Sequence, residues 1–319
     1  MKRPKNARRI AIAAIAMVSA IIGLSLSGVV HVNRGVRAVG IPIIVKDLPE
    51  HGLTLTPPSD PSFEQRVASA LGAETGDAAD AFRPISVLMS NAGFQDVIGY
   101  SLRWELVRAD GRRSIHWSGG VNGSALIGRS TAQGRQVAVS DGSTIPSGRG
   151  TLVSPIYSPG QGMGVISGMG MDRMPQLVQA IRERNHPLAA QVISAELAEC
   201  VSITASIEGA FFDDGTFVGP NSAVFEAHKA SMDAERDLYQ EIQFALSHGS
   251  TSAEALKTAE EWANSADVGS GTAPTDYYNS RKKAVAQHLI RMRDSRGPEV
   301  ATRIALEPLS RRWLVLKRK

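Results

Sequence analysis

The residues best equipped for chemistry in this chain are two adjacent carboxylates beside a glycine, Asp213-Asp214-Gly215. Two carboxylates can hold a calcium ion or act as an acid/base pair, but their spacing argues against both. Adjacent residues of an extended chain point to opposite faces, which is poor geometry for one shared ion. The acidic residues at alternate positions that an EF-hand loop needs are missing. Asp-Gly is also a favoured hairpin turn, and the preceding Asp can hydrogen-bond the turn's own backbone. The stretch therefore reads as a hairpin, closed by Gly219-Pro220, where strand-like alternation gives way to helical spacing.

Other catalytic patterns do not occur. There is no G-x-S-x-G elbow, no G-x-x-x-x-G-K-[ST] phosphate cradle and no H-E-x-x-H pair. Gly160, Gly162, Gly164, Gly168 and Gly170 never satisfy G-x-G-x-x-G. The seven histidines are scattered singly, and Cys200 is the one cysteine, so an intramolecular disulfide is excluded and a zinc site has no support. Cys200 reads as a small buried apolar residue. No residue is assigned as catalytic, cofactor-binding or metal-binding, and no cofactor is expected. Thirteen of the 30 glycines fall between residues 118 and 170. An extracytoplasmic, hydrolase-like enzyme would build its site in those loops; irregular connections between strands are the plainer reading.

Residues 10–30 form an uncharged apolar run, preceded by Lys2, Arg3, Lys5, Arg8 and Arg9 and followed closely by only Arg34 and Arg37. As a helix rising about 1.5 Å per residue, the run would span about 30 Å, a bilayer core. The charge asymmetry puts the N-terminus in the cytoplasm and the body outside, as a single-pass protein of the cell membrane. A cleaved signal peptide is the competing reading, because Ser25-Leu26-Ser27 offers small residues at cleavage spacing. Both readings export the body. The formal charge is +4, but the five leading cations leave the remainder at −1. A second basic cluster sits at the C-terminus, so the middle of the chain is short of positive charge. That excludes a nucleic-acid-binding body. The partners expected are the membrane, through residues 10–30, and another envelope protein.

The elements that would position any site begin with a connector whose residues 41–45 can form an edge strand. Residues 62–71 follow as a short helix. Residues 85–90 are a compact apolar run. Tyr100, Leu102, Trp104 and Leu106 then alternate with Ser101, Arg103, Glu105 and Val107, and Asp110-Gly111 turns the chain into residues 114–117. Further short strands are expected at 137–139 and 151–153, and a helix over 175–184. Val201, Ile203, Ala205 and Ile207 alternate with polar residues up to Gly209, a candidate bulge. Beyond Pro220, apolar spacing of three, four and seven predicts a long helix over 222–247 capped by Asn221 or Ser222. Thr251-Ser252-Ala253-Glu254 is a capping box opening a second helix, and a third covers 275–295.

These elements predict an α+β chain: an antiparallel β-sandwich followed by a helical C-terminal region, with an N-terminal transmembrane helix. The divisions are a basic cytoplasmic segment (1–9), a transmembrane anchor or signal peptide (10–30), a linker with a short helix (31–83), a β-sandwich domain (84–221) and a helical tail (222–319). Residues 85–91, residues 98–104 with Asp110-Gly111, and residues 212–220 together resemble an immunoglobulin-like domain of exported, membrane-anchored bacterial envelope proteins. The likeness lies in structural motifs covering about a sixth of the chain, and it lacks the paired cysteines of antibody-type domains. It implies a sandwich fold and an envelope role, and it supplies no catalytic residue. The function expected is a non-enzymatic binding or structural role outside the cytoplasm.

Overall fold

The computed structural model describes residues 42–71, 77–126, 144–158, 162–163, 172–265, 273–310 and 313–319, all within the compact unit Val36–Lys319. The expected anchor over residues 10–30 and the strand over 137–139 lie outside the described residues. Among the described residues no helix is long and apolar enough to cross a membrane.

The first half contains β1 (Ile43–Lys46), β2 (Leu53–Thr56), α1 (Phe63–Leu71), α2 (Asp77–Phe82), β3 (Val87–Asn91), β4 (Val97–Arg108) and β5 (Arg113–Val121). Then come α3 (Gly123–Leu126), β6 (Arg149–Val153), β7 (Tyr157–Ser158), β8 (Gly162–Met163), α4 (Met174–Arg182), α5 (His186–Leu197), β9 (Cys200–Phe212) and β10 (Thr216–Val218). The C-terminal part is α6 (Ser222–Ser247), α7 (Ser252–Ala255), α8 (Lys257–Asn264), α9 (Pro274–Arg296), α10 (Pro298–Leu306) and β11 (Lys317–Arg318).

The immunoglobulin-like antiparallel sandwich is not what these elements build. The main sheet is mixed, in the order β11-β10-β9-β4-β5, with β1 also on β9. β1 runs parallel to β9, and β11 runs parallel to β10. The apolar run at 85–90 leads into β3, which lies at the centre of a separate sheet, β2-β3-β6, rather than in the sandwich with the Trp104 strand. Helices α4 and α5 contribute Leu177, Ala180, Ala189, Ala190, Ile193 and Leu197 to the main core beside Trp104 and Ile203, so the architecture is mixed α/β. The physical reason is that period-2 alternation marks one buried face per strand without saying what buries it. The apolar run in α5 carries no periodicity that separates helix from strand. Parallel pairing between residues 43–46 and 203–206 has no local signal at all.

Within the main sheet the two long strands β4 and β9 pair antiparallel, Trp104 opposite Ala205 and Leu106 opposite Ile203. The β4–β5 hairpin turns at Asp110-Gly111, with Gly111 at φ 81°. Trp104 is fully buried, and its indole N–H donates to Ser118 Oγ at 2.7 Å. At the rim of this core Glu196 of α5 is 1% exposed and pairs with both Arg108 of β4 and Arg173, which precedes α4. Glu199 joins the same two arginines.

α6 is the shared wall between two clusters. Its first half packs Phe225 and Met232 on the outer face of the main sheet, against Phe211, Phe217, Ile98 and Leu126. Its second half packs Leu238, Tyr239 and Ile242 against α8, α9 and α10 through Ala259, Leu289 and Ala301. The caps are as expected: Asn221 accepts from Ala223 N, and Thr251 with Glu254 closes a capping box. Phe212 faces the main core and Phe211 the helix, as adjacent strand residues must.

The turn at Asp213-Asp214-Gly215 joins β9 to β10 and is locked by the C-terminus. Lys317 N donates to Gly215 O at 3.0 Å. Gly215 sits at φ 84°, and a Cβ there would lie 2.5 Å from the Val315 carbonyl oxygen. Gly215→Val should therefore destabilise the fold by more than about 2 kcal/mol, from backbone strain plus the clash; an unchanged denaturation midpoint would contradict this hairpin. Glu196→Ala leaves Arg108 and Arg173 without their buried carboxylate and should cost about 3–5 kcal/mol, read as a lowered urea midpoint at constant slope. A loss below about 1 kcal/mol would place this pair on the surface in solution.

Candidate functional site

The Asp213-Asp214 carboxylates are used by the turn. Asp214 accepts from Thr216 N and Thr216 Oγ1, both at 2.8 Å, and pairs with Lys317 at 3.2 Å. Burial opposes its charge, but these donors and the Gln95 side chain outweigh burial and hold its pKa well below the carboxylate range. Burial, with Asp96 and Asp214 nearby, raises that of Asp213. The two acids thus do different things, and among the described residues no group of three His, Cys, Asp or Glu is placed to hold a metal ion. Cys200 is buried, and burial pushes its thiol up.

Of the glycine-rich region 118–170, the described parts are structural. Asn122 Oδ1 accepts from Ala125 N at 2.9 Å and so caps α3. Ser154 Oγ accepts from Tyr157 N at 3.0 Å in the β6–β7 turn. Tyr100 is enclosed near Thr151 and Ser158, and burial raises its hydroxyl above the usual range. Asn122 and Ser154 satisfy backbone turns, and Thr151 and Ser158 lie beside the Tyr100 hydroxyl in the core.

A cleft of about 450 Å³ lies between α6 and the start of α9, lined by Glu226, Lys229, Asp233, Arg236, Asp237 and Tyr278. Its charges are mostly matched internally. Lys229 and Arg236 both bind Asp233, and the Tyr278 hydroxyl donates to Asp237 at 2.8 Å. The C-terminal apolar run Trp313-Leu314-Val315-Leu316 packs on the protein. Trp313 donates to Pro308 O at 2.9 Å, and Leu314 and Leu316 join the cluster under α6.

The unexpected surface is the open half of the main sheet's outer face. α6 covers this face at the Phe211 end. Towards the other end the rows run Lys46, Ser206, Arg103, Trp117 and then Ile44, Thr204, Glu105, Ile115 across β1, β9, β4 and β5. Trp117 is 51% exposed, Ile115 45% and Ile44 54%. The polarity of β5 is inverted: Ile115 and Trp117 face water, while His116 and Ser118 face the core beside Trp104 and Leu102. His116 is 4% exposed, and its Nε2 has no hydrogen-bond partner among the described residues. Residues directly opposite in a sheet share a face, so β5 must follow β4, whose four large apolar residues have the stronger claim on the core. The alternation at 114–117 carries the signal, because Ile and Trp alternate with Ser and His; only the direction of the faces is missing from it.

Arg103 and Arg113 flank Glu105 at 3.3 and 3.6 Å. With Lys46, the rows around the exposed indole of Trp117 set three cations about the Glu105 carboxylate.

Two histidines sit in water-poor surroundings. Burial lowers His116 from 6.5 to about 4, and burial does the same to His228, which stands edge-on to Phe211 at 5.2 Å. The folded state thus binds fewer protons than the unfolded chain between these values, so stability is complete above about pH 6.5 and falls as pH drops towards about 4. Denaturation midpoints should decline across that window, and His228→Phe should flatten the decline; a flat profile down to about pH 4.5 would contradict both burials. Compared with protein-family models, with curated proteins and with solved structures, the chain matches none, so its functional reading rests on its own residues.

Proposed function

We propose that this is a membrane-anchored, extracytoplasmic envelope protein with a binding or structural role rather than an enzymatic one, and that the open half of its main sheet is the working surface. Residues 10–30 would hold it in the cell membrane, with the five leading cations on the cytoplasmic side. The observation that carries the binding reading is the inverted strand β5. It buries a histidine and turns Ser118 to the core side while leaving Ile115 and Trp117 in water. Large apolar residues exposed together on a flat, rigid sheet are a binding feature, and a local rule broken at one place is expected where function demands it. Asn122 and Ser154 of the described glycine-rich region cap and turn the backbone, which supports binding over hydrolysis.

Fractionation and protease protection test the placement. The full-length chain should remain in the membrane pellet after alkaline carbonate washing, and protease added outside intact spheroplasts should remove the body. Recovery of intact protein in the cytosolic soluble fraction would overturn the placement.

A further inference from the structure

We infer that the open half of the main sheet's outer face lies on the outer surface of the membrane, with Trp117 in the headgroup region and Lys46, Arg103 and Arg113 against anionic lipid phosphates. The inference rests on the anchored reading given above and adds a second, peripheral membrane contact by the folded body.

Two observations select a lipid surface as the occupant. The first is chemistry. Trp117 has an apolar body and a single N–H donor, the combination that settles at a bilayer interface. Ile115 and Ile44 stand in the adjacent row and can enter the acyl boundary beside it. The second is charge. Around Trp117 and Ile115 the face holds Lys46, Arg103 and Arg113 about Glu105, a local excess of positive charge on a body whose charge beyond the first nine residues is −1. Basic side chains are attracted to an anionic leaflet over about a Debye length.

The test uses the full-length protein in nanodiscs of phosphatidylcholine, with or without phosphatidylglycerol. The difference in emission between wild type and Trp117→Phe isolates Trp117 from the other three tryptophans. In discs containing phosphatidylglycerol this difference signal should be blue-shifted and quenched by lipids brominated near the headgroup end of their chains. Both effects should disappear in phosphatidylcholine alone and in Arg103→Ser/Arg113→Ser, a surface pair whose replacement is checked by an unchanged melting temperature. Entry into the discs with Trp117 quenched by aqueous acrylamide and not by bromolipid overturns the inference while leaving the anchor intact. A blue shift that appears only with two copies per disc assigns the face to a second copy and also overturns it. A chain that does not enter the discs at all fails the anchoring reading, and the inference with it.

Discussion

The pairing of β4 with β9 is the constraint on which the rest of the structure depends. These two long strands place Tyr100, Leu102, Trp104 and Leu106 on the same face as Ile203, Ala205 and Ile207. The register shifts by one residue between Ile207 and Gly209. That bulge is what allows Ala210 and Phe212 to return to the core side although they fall out of step with Ile207. Without it, Phe211 would turn inward and α6 would lose the aromatic platform it packs on. Gly209 is required beside the bulge because the Phe217 ring lies where its Cβ would be, 2.4 Å away.

α6 transmits this arrangement to the helical part. One helix of 26 residues, about 40 Å long, packs its first half on Phe211 and Phe217 and its second on α8, α9 and α10. The seam between α6 and α9 is unusually polar for a core. Glu235 accepts from Tyr239 at 3.0 Å and pairs with Arg281, and Lys282 binds Glu241 at 2.7 Å while standing 4.7 Å over the Trp262 ring. Such groups add little stability net of desolvation, but each satisfied pair fixes which helical turn meets which. The C-terminal residues then close the other side, where Lys317 meets Asp214 and β11 extends the sheet.

The same β4–β9 constraint creates the surface proposed as functional. Once Trp104 is inside, a tight hairpin at Gly111 leaves β5 no freedom of register. Its more apolar residues, Ile115 and Trp117, go outward, and His116 goes inward as a neutral ring. A strand whose own pattern prefers the opposite facing is held by its neighbour, and the indole is presented on a rigid platform. Rigidity matters for a contact surface, because little conformational entropy remains to be lost on binding.

What the sequence by itself determined is local: the Asp110-Gly111 and Asp214-Gly215 turns, the alternating strands over 100–107 and 201–207, the bulge at Gly209, and the long helix with its caps at Asn221 and Thr251. Each depends on φ preferences, capping hydrogen bonds or side-chain period within a few residues, and these act before any distant segment arrives. Only the tertiary structure decided that residues 43–46 run parallel beside residues 203–206, that β3 leaves the Trp104 sheet for another, and that α4 and α5 cover the core where a second sheet of a sandwich was expected. It also decided the candidate surface. Residues 114–117 announce a strand, but which of its two faces meets water depends on the competing apolar face of β4, and that competition is settled by pairing rather than by anything β5 carries itself.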